Sequence, residues 1–496
     1  MNIDKILVAN RGEITIRIIR ACRTLQISPI VIYSEEDRRN LHIRMADGAF
    51  NLGSGNLHDT YMNSEKIINA ALQFDVDAIH PGYSFLADNS VFAKKVIDAG
   101  LKWIGPSPET LQKIENKLDA KRLAEKAGFK TLLDSGKSIN NFDEARKAAS
   151  ELGYPIILKP CFGSGGIGLE IVRREEQLEK AMRRVNAQSS ILAKKEVFIE
   201  QYVSNLQLFE VGFLTDSKTQ TICFPEREIT IQHKLQKLVG ESPSTFLSEE
   251  SRTKIFDLIK NYASILEFQC IGNIEVLYKK GLGLVFDEIN PHIQLEHPLT
   301  EMTTGIDIVC EQIQIANDQP IKWTQEEIKP TGFAMQFRIN AEDPLNNFQP
   351  SSGEVKELGI PGGPWIRFDT NIYRGYQIPM LYDTYLGQLL VYSTESRELV
   401  RKRALSALNE LTITGFPTTI GYHRHLIAHP DFVKGKFTTN FIEKQSDIIR
   451  EIEEEMRSII AALFTTNKET SKVTLPPLSK SRWRDYARSE STGRGI

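Results

Sequence analysis

The stretch VFDEINPHIQLEHPLTEM (285–302) decides how this chain is read. Its first half is apolar around Glu288, the pattern of a strand carrying an acid out of a sheet. Asn290 follows Glu288 by two residues, so on an extended chain the two side chains share a face. GNIEVLY (272–278) repeats the arrangement, with Glu275 inside an apolar run. Two carboxylates and an amide oxygen converging would suit Mg²⁺ (or Mn²⁺), a hard cation that usually shares its ligands with nucleotide phosphates. Two solvated acids at strand ends satisfy the same spacing, and only convergence in space separates the readings. In the second half, Glu296 lies between apolar neighbours and is a candidate general base. Arg338, in FRINAEDP (337–344), is a candidate oxyanion partner. A structural salt bridge is the plain alternative for both.

Moving toward the N-terminus, YPIILKP (154–160) runs into CFGSGGIG (161–168) and then LEIV. Strand, glycine loop, strand predicts an antiparallel hairpin with a flexible tip. Lys159, ending an apolar strand beside that tip, is placed to hold phosphates while loop amides close over them. A surface hairpin that needs glycine for positive φ is the simpler alternative. Glu200, Gln201, Tyr202 and Val203 form a strand edge that either pairs with adenine through its backbone or completes a sheet. Lys117 in a charged helix and Lys237 in QKLVGESP (236–243) are candidate phosphate and anion contacts, or solvated lysines.

The first hundred residues show βαβ patterning. ILVA (6–9) and IVIYS (30–34) read as buried strands, and GEITIRIIRACRTL (12–25) between them has helical spacing, which predicts a parallel sheet with helices on its faces. The turn NRGE has one glycine where a dinucleotide fingerprint needs three, which excludes a nicotinamide enzyme. A lysine-rich helical connector is expected over 109–128, and an amphipathic helix over 448–464. Residues 466–496 are basic and poor in apolar side chains, the composition of a disordered tail.

The 496 residues call for roughly three domains. Hydrophobic content of 41%, 25% charged residues and a net charge of −3 describe a globular protein with no call for a nucleic-acid partner. Cys22, Cys161, Cys223, Cys270 and Cys310 are scattered without ligand spacing, as expected of reduced thiols in a cytoplasmic protein. MNIDKILVANRG leads straight into a strand, so no signal peptide is expected. No apolar run approaches the ~20 residues of a membrane span.

Taken together and in order, these blocks resemble biotin carboxylase, the ATP-dependent subunit of acetyl-CoA, pyruvate and related acyl-CoA carboxylases. The resemblance is carried by ILVANRGEI (6–14), AIHPGYSFLADN (78–89), IGPSPET (104–110), the glycine loop, EINPHIQLEHPLTEM (288–302), RINAEDP (338–344), FQPSSGEV (348–355) and YDTYLG (382–387). It implies an α/β ATP-grasp fold: an N-terminal Rossmann-like domain (1–113), an ATP-binding domain (114–330) with a lid at about 131–203, and a C-terminal domain (331–446). The extra helix (447–465) and tail (466–496) would follow. It implies that Lys117, Lys159 and the loop glycines Gly163, Gly165, Gly166 and Gly168 contact ATP, and that Glu200 to Val203 frame adenine. Glu275, Glu288 and Asn290 would hold magnesium, Lys237 and the backbone at Leu295 bicarbonate. Glu296 would be the base and Arg338 the partner of the biotin ureido oxyanion. Biotin would arrive on a separate carrier protein, and a carboxyltransferase subunit would take the carboxyl group onward. The resemblance also implies a homodimer, with Arg20 matching a dimer-face arginine and Thr24 departing from the acidic partner.

Several positions depart from the family pattern. His292 stands for an arginine that would fork onto bicarbonate, and a histidine of reference pKa ~6.5 does not hold its charge as a guanidinium does. Phe162, Ser164 and Ile167 interrupt the glycine loop, which predicts a stiffer lid. Leu208 and Leu235 replace histidines, and Gln201 and Gln388 replace lysines. The nucleotide and metal positions are thus best kept. The departures leave a second reading open: a Mg–ATP-binding regulatory homologue, or a ligase with a different acceptor.

Overall fold

The computed structural model describes residues 2–163, 168–189 and 196–469. The chain divides into two compact units, residues 1–446 and 447–496. The second unit is seen only as part of the helix Ser446–Glu469, which starts before the expected helix and runs four residues into the expected tail. The rest of that tail lies outside the described residues.

The first unit opens with five strands: β1 (Lys5–Val8), β2 (Ser28–Tyr33), β3 (Gly48–Asn51), β4 (Ala78–His80) and β5 (Lys102–Trp103). They form a parallel sheet in the order β3-β2-β1-β4-β5. Alternation places Ile6 and Val8 in one hydrophobic cluster and Leu7 and Ala9 in another, so both faces are buried. The helix Gly12–Thr24 packs Ile14 and Ile18 with the first cluster, and Ser64–Gln73 and Ser90–Asp98 supply Ile67 and Phe92 to the second. Order reverses between β1 and β4, leaving a crevice at the carboxyl ends of those two strands.

The expected connector is two helices, Pro108–Ile114 and Lys117–Lys126, because the Asn116 side chain accepts from the Leu118 amide and caps a new helix. The hairpin expected around the glycine loop is present: β6 (Ile156–Pro160) pairs antiparallel with β7 (Glu170–Val172) and with β8 (Val197–Gln201). Phe142–Leu152 and Leu178–Ser189 cover this small sheet through Ala145, Ala149, Leu178 and Val185.

A nine-stranded antiparallel sheet, with two two-stranded sheets and helices beside it, forms the rest. Its strands include β9 (Gln207–Thr215), β10 (Thr221–Cys223), β11 (Arg227–His233), β12 (Gln236–Ser242), β13 (Cys270–Lys279), β14 (Gly283–Asn290) and β15 (Phe333–Asn340). The order is β14-β13-β9-β11-β12-β15, then Tyr385–Ser393 and Ile366–Thr370, with β10 on β9. Phe209, Val211, Phe213, Ile274 and Val276 point to one face, against Ile255, Ile259 and Tyr262 of the helix Glu249–Leu266. Each such buried side chain contributes about 1.5–3 kcal/mol. Period two then sends Glu210, Gly212, Asn273 and Glu275 to the opposite face. Among the described residues, no helix is long and apolar enough to cross a membrane.

Candidate active site

Register builds the acidic centre. Glu275 lies directly opposite Glu288 on one side and Glu210 on the other, and Asn273 lies opposite Asn290. The Asn290 amide nitrogen is 3.4 Å from a carboxylate oxygen of each of Glu275 and Glu288. Two candidates for metal binding and the carboxamide therefore do converge. A one-residue bulge at Asp287 shifts the pairing so that Val276 faces Phe286. Bulges re-aim side chains, and here Asp287 accepts from Lys159 at 2.9 Å. Among the described residues, no three His, Cys, Asp or Glu side chains gather as a metal-ligand group.

Lysines neutralise these acids. The Lys237 ammonium is 2.7 Å from Glu275 and 3.2 Å from Glu210. Lys117, the first residue of its helix, is 2.7 Å from Glu288. Lys159 is 2.8 Å from Glu200, whose other oxygen is 2.6 Å from Lys121. Burial opposes the charge on Glu288, yet Lys117, then Lys159 and Lys237, hold its pKa at about 2. Burial pushes Glu275 upward, and Glu288 and Glu210 add to this against Lys237. Lys117, Lys159 and Lys237 are all raised, since their acid partners outweigh burial.

The second cluster joins the loop after β14 to β15. The Arg338 Nη2 donates to Glu296 Oε1 at 2.5 Å. Burial opposes ionisation of Glu296, but Arg338 and Lys237 hold its pKa at about 2, so it is a carboxylate at neutral pH. The other oxygen of Glu296 and the Nε of Arg338 are buried and meet no hydrogen-bond partner among the described residues. Leu295 is buried beside Glu296.

His292 differs from the expectation of an unreliable charge. Its Nε2 is 3.2 Å from Asp88 and its Nδ1 is 2.8 Å from the Ile293 carbonyl. Burial lowers its pKa, but Asp88 outweighs burial and raises it, favouring the imidazolium. Both ring nitrogens face protein acceptors, so the fork of a guanidinium is not reproduced.

At the lid, Glu200 and Gln201 lie in β8, and the Gln201 and Tyr202 amides donate to the Leu133 and Pro155 carbonyls. Val203 packs with Leu132, Leu206, Leu208, Ile229, Leu277 and Val285, so Leu208 has joined an apolar cluster. Gly163 and Gly168 have φ of 95° and 82°; Ser164, Gly165, Gly166 and Ile167 lie outside the described residues. Phe162 packs against Leu118, Cys161 and Phe198. Lys234 and Leu235 form the two-residue turn between β11 and β12, both at positive φ (48° and 68°), where Leu235 stays partly exposed. Gln388 is buried and accepts from Gln336.

Four supports escaped the sequence reading. Arg227 is fully buried and donates to Glu210 at 2.9 Å, Thr300 at 2.7 Å and Asn273 at 2.5 Å. Gly212 on the neighbouring strand leaves room for it: a Cβ there would stand 3.2 Å from Arg227 and 3.1 Å from Asn273. The sign was present in FPEREIT (224–230), charges inside an apolar-ended strand. Asp88, Asp287 and Lys121 had no local sign, because their partners are distant in sequence.

Both clusters open on one cavity of about 620 Å³. Lys237, Glu288, Asn290, His292, Leu295 and Arg338 line it together with Arg11, Glu13 and Tyr83 from the switch point of the parallel sheet. A three-stranded lid beside a large antiparallel sheet, with lysines and acids between them, defines an ATP-grasp protein. The chain matches the biotin carboxylase N-terminal domain over residues 2–111, the carbamoyl-phosphate synthase L chain ATP-binding domain over 116–324, and the biotin carboxylase C-terminal domain over 336–444. It is 39% identical over 443 residues to biotin carboxylase 1 of Bacillus subtilis, covering 89% of this chain and 98% of that one. The biotin carboxylase of Haemophilus influenzae is 37% identical over 445 residues, 89% of this chain and 99% of that one. The biotin carboxylase domain dimer of Hydrogenobacter thermophilus 2-oxoglutarate carboxylase, solved with MgADP, ADP and bicarbonate, superposes with a TM-score of 0.88 at 36% identity, covering 90% of this chain and 99% of that one. The chain belongs to the biotin carboxylase family.

Proposed function

We propose that this chain carboxylates biotin held on a carrier protein, using ATP and bicarbonate. The observation that carries the reading is how Glu296 and Arg338 divide their atoms. Each uses one atom to hold the other, and each keeps a second buried atom, Oε2 and Nε, without a protein partner among the described residues. Glu296 is thereby a fixed, ionised base with a free oxygen for the bicarbonate proton. Arg338 keeps a free donor for the oxygen of the cyclic urea.

In this reading Lys117, Lys159 and the loop glycines Gly163, Gly165, Gly166 and Gly168 meet the ATP phosphates, and residues 200–203 border the adenine. Glu275, Glu288 and Asn290 would hold Mg²⁺: the two carboxylates converge, Asn290, whose amide nitrogen lies 3.4 Å from each, would turn its oxygen inward, and phosphates and water would complete the shell. When bound, the ion neutralises charge on the transferring phosphoryl group. Lys237 and the Leu295 backbone hold bicarbonate. Glu296 removes its proton as a bicarbonate oxygen attacks the γ-phosphorus and ADP leaves, giving carboxyphosphate. That species breaks to CO₂ and phosphate; the phosphate takes the ureido N–H proton and the nitrogen bonds to CO₂. Arg338 stabilises the charge that deprotonation places on the ureido oxygen. His292 adds a positive charge nearby without gripping bicarbonate. No feature of the site favours binding of ATP without carboxylation, or another acceptor.

The domain limits 113/114, 330/331 and 446/447 belong to the proposal and are supported by the three matched segments. So do a separate carrier, a carboxyltransferase partner and a homodimer, the last supported by the dimeric Hydrogenobacter relative. A cytoplasmic setting is supported by five buried, unpaired thiols. The test is ADP release from Mg–ATP with bicarbonate and free biotin, separately and together. ADP formation that needs bicarbonate and rises with biotin is expected; tight ATP binding with no response to either would overturn the reading.

A further inference from the structure

One wall of the cavity holds an acid that the steps above do not use. Glu13 sits in the first turn of the helix Gly12–Thr24, at the switch point, and is 3% exposed. Both of its carboxyl oxygens are buried and meet no hydrogen-bond partner among the described residues. The hydroxyl of Tyr385 is in the same condition, as is the Arg338 Nε, and all three residues line the one cavity. An orphaned buried carboxyl costs stability and calls for a partner.

The neighbouring charges do not answer it. Arg17 is taken by Glu301 and Asp307, each at 2.5 Å, and Arg367 by Glu301 at 2.7 Å and Asp369 at 2.6 Å. Arg20 leans on Asp369 at 3.5 Å. Burial first, then Asp369, push the Glu13 pKa up to about 8 against Arg367, Arg17 and Arg20. Tyr83 and Tyr385 also face it. Protonated, the group offers one O–H donor and one carbonyl acceptor side by side.

A cyclic urea presents the complement: a carbonyl acceptor beside an N–H donor. Resting on the function proposed above, we propose that Glu13 pairs with the ureido group of biotin through two hydrogen bonds. Its O–H donates to the ureido oxygen, and its carbonyl accepts the N–H of the nitrogen that is not carboxylated. The ureido oxygen then receives Glu13 on one lone pair and the Arg338 Nε on the other. Both donors strengthen as the other nitrogen loses its proton and charge moves to that oxygen. Glu13 thereby selects which nitrogen is left free to react. The Tyr385 hydroxyl closes the floor beside it.

The test is steady-state ADP release with free biotin varied at saturating Mg–ATP and bicarbonate, in the parent, Glu13→Gln and Glu13→Ala. Glutamine offers the same donor and acceptor as a neutral acid, so its biotin KM stays within about threefold of the parent. Alanine offers neither, and its biotin KM rises about tenfold or more, the size of one lost buried hydrogen bond, while the ATP KM stays within about twofold. If Glu13→Ala does not fold, Glu13→Met fills similar volume without donor or acceptor and takes its place. Equal shifts in the glutamine and alanine variants, biotin and ATP KM values moving together, or no change at all would each overturn the pairing. A parent enzyme whose ADP release ignores biotin would instead overturn the function itself, and the pairing with it.

Discussion

Arg338 has two tasks that two substitutions should separate. It holds Glu296 through Nη2 at 2.5 Å and offers Nε, buried and unpartnered among the described residues, to the cavity. In Arg338→Gln both are lost. The Glu296 side chain is 2% exposed, so its charge is left inside the protein with Lys237 and Arg227 as the cations that still act on it. Breaking a buried pair from one side costs about 3–5 kcal/mol, and the remaining cations argue for the lower figure. At roughly 2 °C per kcal/mol for a large domain, the melting temperature should fall by about 6 °C. Arg338→Lys keeps a charge for Glu296 but has one nitrogen in place of a fork. Its melting temperature should stay within about 2 °C of the parent, while the biotin-dependent rate falls by about 10²–10³, the usual loss of one oxyanion donor. Differential scanning fluorimetry and ADP release with and without biotin read the two effects. An Arg338→Lys enzyme with its biotin response intact, or an Arg338→Gln protein melting with the parent, would refute the division.

Three further outcomes are expected. Lys237→Met leaves Glu210 and Glu275 without the ammonium that lies 3.2 and 2.7 Å away, so bicarbonate-dependent ADP release should fall by more than about 10² even without biotin. Arg227→Met, which strips Glu210, Asn273 and Thr300 of one shared buried donor, should lower stability by about 3–5 kcal/mol in urea denaturation; a loss under about 1 kcal/mol would refute its role as the support of the acidic centre. Burial, then Glu241, raise Glu228 from 4.5 to about 8, so the folded state keeps a proton that the unfolded chain releases. Stability should therefore be fullest below about pH 4.5 for this group and decline by a few kcal/mol as pH rises through 8, and Glu228→Gln should flatten that slope in melts across the same range.

Much of this was legible because it depends on period. Alternation in GNIEVLY and VFDEIN put Glu275, Glu288 and Asn290 on one face, and the sheet register delivers that face. The runs ILVA and IVIYS became β1 and β2 because nothing polar interrupts them, and helical spacing gave Gly12–Thr24. The connector broke in two where Asn116 could cap a helix, a local competition that overall propensity hides. The bulge at Asp287 has no signature, since one extra residue looks like any other until its neighbour strand is known. The state of His292 was illegible for a different reason. It is set by Asp88, which the chain brings back across the fold from the end of the AIHPGYSFLADN block.

The same physics explains where this chain departs from its family's pattern and where it does not. Lys117, Lys237, Arg227 and Arg338 are each matched with Glu288, Glu275, Glu210 and Glu296 in a network that is buried except at the half-buried Lys117–Glu288 pair. Changing one member strands an opposite charge, at a cost comparable to a sizeable share of a domain's stability. Leu208, Leu235 and Gln388 occupy positions free of that constraint: one in an apolar cluster, one in a partly exposed turn, one beside a second amide. His292 is the informative case, because it lies against the network and yet differs from the arginine that the resemblance implies. Asp88 makes the exchange tolerable by keeping positive charge at the position. The Glu296–Arg338 pair, with Oε2 and Nε each left without a partner among the described residues, is untouched by these departures.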